Sequence, residues 1–163
     1  MFEFWNHGYD HSRVIEGDQT IFEFRNSTLE GQRTTLSRSQ ELAREKLGFE
    51  MVTFGAPYNQ SDPNTSAALE EFDEIKYWFY PPSGTVTAKT ILPRIKELNI
   101  EYPVHMPSFY HFWNSYYFYS YESNITIQGH PNSWDEMRLG EFEKIVDYLI
   151  RLGSPIVKPS SLI

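Results

Sequence analysis

A chain of 163 residues, 40% of them hydrophobic and 22% charged, carries enough apolar material for one folded domain, and no apolar run is long enough to cross a bilayer. A formal net charge of −8, from 14 Lys and Arg against 22 Asp and Glu, argues against the basic face that nucleic-acid binding needs. With no cysteine, disulfides and thiolate metal sites are excluded, so any metal must be held by His, Asp, Glu or water.

Residues 2–6 read as a short strand that runs into the His-rich loop His7-Gly8-Tyr9-Asp10-His11-Ser12. The start of the chain lacks the basic region, apolar stretch and cleavage site of a signal peptide, which favours a cytoplasmic location for the chain as given. Ser27-Thr28-Leu29-Glu30 has the form of a capping box, and Leu36, Leu42, Ala43 and Leu47 repeat at near-helical spacing behind it. Gly31 weakens the first turn and moves the expected start toward Arg33, while Gly48 suits a left-handed stop. Residues 49–54 read as a buried strand ending in the turn Gly55-Ala56-Pro57-Tyr58-Asn59, and Asp62-Pro63 opens a helix to about Phe72.

Residues 75–80 form the next expected strand, broken by Pro81-Pro82-Ser83-Gly84. Residues 85–100 leave helix and strand open, with Pro93 against an uninterrupted helix. A short strand is expected at 102–106, and residues 109–121 are highly aromatic without clean periodicity. A strand at 125–128 stops at Gly129-His130-Pro131, and Ser133 and Asp135 offer N-caps for an amphipathic helix over 136–152. Gly153 ends that helix, and residues 156–158 read as a last strand. The alternation of strands and helices, with no linker, predicts a single α/β domain with a mostly parallel sheet or barrel.

Three segments carry candidate chemistry. His7 and His11, four apart after a strand, can converge on one divalent ion, and imidazole suits Zn. Two His also meet this spacing by chance. The 55–59 turn lies at the strand end where α/β folds place their sites, and it can aim a backbone N–H at a substrate oxygen; otherwise it is an ordinary connection. His130 is held at a strand end by Pro131. Pro57, Asn59, Trp113 and Trp134 are the candidate substrate contacts. Trp113 belongs to a stretch (Tyr110, Tyr116, Tyr117, Tyr119, Tyr121) that either lines a sugar groove or packs against a loop or subunit. His105 and His111 are expected to be structural or solvent-facing.

Together these segments resemble the polysaccharide deacetylase family, the NodB-homology domain, over nearly the whole chain. His7 and His11 match its His-x-x-x-His motif, Gly55-Ala56-Pro57-Tyr58 matches in part its Arg-Pro-Pro-Tyr-like segment, and Gln128-Gly129-His130 matches its Leu-x-His motif, in the family's order. The resemblance implies a partial or distorted (β/α) barrel of the NodB-like type, with its first strand missing. It implies a divalent metal on His7 and His11, Zn with Co or Ni as alternatives, an oxyanion donor at the Tyr58 amide, and His130 as general acid. The implied reaction is removal of N-acetyl or O-acetyl groups from a carbohydrate polymer.

Two departures matter. Gly55 stands where the family has Arg. The family also opens on a strand ending in Asp-Asp, its base and third ligand, whereas six residues precede His7 and none is Asp. The chain therefore reads as the C-terminal portion of such a domain, with weak metal binding, impaired turnover and homo-oligomer formation through exposed strand edges. Asp10 or Asp18 can substitute as a ligand, although Asp10 is more readily explained as a turn cap. The alternatives are a non-catalytic carbohydrate-binding remnant, separated by metal analysis, and a metal-dependent amidohydrolase on a non-sugar C–N amide, separated by substrate profiling.

Overall fold

The computed structural model describes residues 2–162, which fall into two compact units: the chain up to Pro93 together with the segment from Lys158, and Arg94–Val157.

In the first unit the expected strand at 2–6 is reduced to a single parallel bridge between Asn6 and Phe54. Asn6 N–H donates to the Thr53 carbonyl at 2.8 Å, and Gly55 N–H donates to the Asn6 carbonyl at 2.9 Å. A hairpin absent from the sequence reading follows, β1 (Arg13–Glu16) against β2 (Gln19–Phe22). Gly17, at φ 57°, takes the first of its two turn positions, where mirror-image hairpin turns favour glycine.

Helix α1 (Leu29–Leu47) begins ahead of the expected start near Arg33, and its cap is Thr28 rather than Ser27. The Thr28 hydroxyl accepts from Gly31 N–H at 3.1 Å, while the Ser27 hydroxyl donates to the Glu23 carbonyl at 2.9 Å. Gly48 ends the helix at φ 78°, as the sequence predicts.

The strands β3 (Thr53–Gly55), β4 (Tyr77–Phe79) and β5 (Thr90–Leu92) form one parallel sheet in that order. β5 resolves the open reading of 85–100 in favour of a strand. Between β3 and β4 lies α2 (Pro63–Leu69), shorter than expected, with Asp62 and Thr65 closing a capping box at its start. Phe24, Leu36, Phe54, Leu69, Ile75 and Trp78 are fully buried between sheet and helices. At about 1.5–3 kcal/mol for each large apolar side chain, this cluster is the main stabilising term of the unit.

In the second unit the aromatic stretch is helix α3 (Phe109–Tyr119), capped by Ser108. Phe112 and Tyr116, one turn apart, are buried, and most of the other rings stay outside. α4 (Glu136–Arg151) starts at its Asp135 cap and is followed by Gly153 at φ 75°. Leu98, Ile100, Phe112, Tyr116 and Ile145 form the core between the helices. The expected strand at 102–106 is instead a tight turn, with a cis Tyr102–Pro103 bond, His105 at φ 69° and one bridge from Glu101 to Pro107. Residues 125–128 and 156–158 are not strands, because no neighbouring strand pairs with them among the described residues.

Neither sheet closes into a barrel among the described residues. No helix among them is long and apolar enough to cross a membrane.

Candidate functional site

The loop carrying His7 and His11 is built around a buried carboxylate. Glu23, between Phe22 and Phe24, accepts from Tyr9 N–H at 2.5 Å and Asp10 N–H at 3.2 Å on one oxygen, and from His11 N–H at 3.0 Å on the other. Three amides converging on one carboxylate hold the loop in a single curl. Gly8 makes the curl possible: its φ is 80°, and a Cβ there would lie 2.3 Å from a Glu23 oxygen.

This curl sets the His7 and His11 ring centroids 5.2 Å apart. His7 Nδ1 lies 2.7 Å from the Gly55 carbonyl oxygen. A carbonyl only accepts, so Nδ1 carries a proton, and in the neutral ring the lone pair is on Nε2. Metal-ligating histidines are oriented in this way by an outer partner. His11, at φ 57°, has its ring 4.3 Å from that of Tyr58.

Tyr58 is also left-handed, at φ 58°, in a turn whose bonds run from Asn59 N–H to Ala56 O and from Gln60 N–H to Pro57 O. Neither of these uses the Tyr58 N–H. A non-glycine residue in this region carries strain, of the kind that accompanies functional turns. Pro57 is buried beneath the turn, and Asn59 continues it at φ 54°.

Gly55 faces Trp5. A Cβ at 55 would lie 2.1 Å from the Trp5 ring, and that ring packs on His7 with centroids 4.8 Å apart. A side chain at 55 and an indole at 5 are mutually exclusive here. Asp10 accepts from Ser12 N–H at 3.0 Å, which makes it a turn cap, and among the described residues no third Asp, Glu or His joins the His7–His11 pair in a cluster.

His130 lies in the second unit, on a second buried carboxylate. Glu101 accepts from the His130 N–H at 2.7 Å and from the Trp134 indole N–H at 2.9 Å on one oxygen, and pairs with His130 Nδ1 at 2.6 Å on the other. Burial pushes the Glu101 carboxyl up, but the bonds from the His130 ring and backbone, the His105 backbone and Trp134 outweigh it and hold it below the ordinary glutamate range. His105, set aside on sequence, sits beside this pair: its ring centroid is 5.0 Å from that of His130, and its Nδ1 is 2.7 Å from the Ser133 hydroxyl.

Trp134 therefore has a supporting job, with its indole N–H on Glu101 and its ring against Phe142. Trp113 lies on the exposed face of α3, and His111 stacks on Tyr102 at 4.2 Å.

Glu23, Glu101, His105 and Trp5 were missed from sequence. The available signal was an acid flanked by apolar residues (Phe22-Glu23-Phe24 and Ile100-Glu101-Tyr102), a pattern that places a carboxylate inside. No family model matches this chain, and neither a curated protein nor a solved structure matches it.

Proposed function

We propose that this chain carries part of a metal-dependent deacetylase site acting on an acetylated carbohydrate polymer, on a scaffold of the (β/α) deacetylase type. The observation that carries the reading is the bond from His7 Nδ1 to the Gly55 carbonyl, which turns the Nε2 lone pair into the ligand atom. A donor set of two imidazoles without thiolates fits Zn, Co or Ni, and His7 and His11 would hold the ion. When bound, such an ion supplies Lewis acidity, lowering the pKa of water and polarising the acetyl carbonyl.

The chain's own residues do the rest. The Tyr58 N–H, held in its left-handed turn, donates to the developing oxyanion. Among the described residues no Asp, Glu or third His joins the His7–His11 pair, so turnover is expected to be weak. The outer edge of β5 is the expected site of self-association. Exposed Tyr110, Trp113 and Tyr117 on α3 favour a second reading, carbohydrate binding without turnover.

The test is zinc titration of chelator-treated protein, paired with acetate release from an acetylated chitooligosaccharide. Zinc uptake that falls at least tenfold in His7→Ala and in His11→Ala supports the metal site. Zinc binding indifferent to both substitutions removes it, and carbohydrate binding without metal uptake favours the second reading.

A further inference from the structure

We propose that His105 and His130, backed by Glu101, form a second divalent-cation site. The ligand atoms of these three side chains lie within 4.8 Å of one another. Tetrahedral zinc with bonds of about 2.0–2.1 Å needs ligands about 3.3 Å apart, so a modest closure lets the two imidazoles share an ion, with water in the remaining positions. His105 is exposed and at the tip of a turn, which makes it the ring able to move.

Each imidazole already has the outer partner that a ligating histidine needs. His130 Nδ1 rests on Glu101 at 2.6 Å, and His105 Nδ1 rests on the Ser133 hydroxyl at 2.7 Å. With Nδ1–H donated outward in both rings, Nε2 of each holds its lone pair. Glu101 already accepts from the His130 amide and the Trp134 indole as well, so it stays an anchor and supplies a buried negative charge behind the ion. Two imidazoles and a nearby carboxylate select Zn, Ni or Cu over Mg or Ca.

The experiment uses the full chain with zinc chloride as probe. Calorimetric titration should resolve two classes of site. His105→Ala should weaken one at least tenfold and spare the other, and the His7→Ala/His11→Ala double variant should do the reverse. Ser133→Ala, which keeps both rings, should weaken the His105 class as well and guards against a His105 variant that misfolds. In the double variant, zinc should shift the imidazole NMR signals of His105 and His130 but not of His111.

Unshifted His105 and His130 signals, or unchanged zinc affinity in both His105→Ala and Ser133→Ala, would overturn the cation site.

Discussion

Gly8→Ala is the sharpest probe of how the His7–His11 loop is held. Two costs are expected. An L-residue at φ 80° costs about 1–2 kcal/mol. The added Cβ would sit 2.3 Å from one Glu23 oxygen and 2.9 Å from the other, so the carboxylate must retreat by roughly 1 Å. That retreat stretches the 3.0 Å His11 bond and the 3.2 Å Asp10 bond beyond hydrogen-bond range. Charged hydrogen bonds contribute about 1.5–3 kcal/mol each, so two of them with the backbone cost bring the total loss to about 4–8 kcal/mol.

Gly17→Ala is the control: φ is 57°, but nothing lies within 4 Å of its Cβ, so it carries only the backbone cost of about 1 kcal/mol. Urea unfolding of both variants measures the difference, and zinc affinity should fall with Gly8→Ala because the two imidazoles lose their common support. A cycle with Glu23→Ala isolates the cause, since removing the carboxylate removes the clash. Equal destabilisation by Gly8→Ala and Gly17→Ala, or a cycle additive within about 0.5 kcal/mol, would refute the reasoning.

Glu101 predicts a pH dependence. Its carboxyl titrates lower in the folded chain than in the unfolded one, so the unfolded state takes up the proton first as pH falls. The stabilisation is complete above the ordinary glutamate value of about 4.3 and drains as the pH drops through the folded value. Thermal melts of wild type and Glu101→Gln should therefore differ most near neutral pH and converge toward acid. Trp134→Phe keeps the ring against Phe142 but removes the indole donor to Glu101, with an expected loss of about 1–2 kcal/mol by denaturant unfolding. Asp62→Ala should cost about 2 kcal/mol or more, because one side chain caps α2 at Asn64 N–H and also accepts from Asn26 N–H and the Gln32 amide. Loss of helicity confined to α2 in its amide exchange would place that cost at the cap.

Helix ends were legible because their groups are satisfied by neighbours along the chain. Asp62-Pro63, Gly48, Asp135 and Gly153 each act within a turn of their own position. Short apolar strands were not, since a strand exists only where another pairs with it: 77–79 found β3 and β5, while 125–128 found nothing. The aromatic stretch hid α3 because its exposed rings mask the buried pair Phe112 and Tyr116. The site divides in the same way. The spacing of His7 and His11 is a local property, and so are the chemical types available to bind an ion. That Glu101 receives His130 from 29 residues away, that Trp5 fills the space beside Gly55, and that Glu23 gathers three amides were decided by tertiary structure alone. Flanking apolar residues can hint that an acid lies inside, but which donors converge on it from distant positions is not written in any single stretch of sequence.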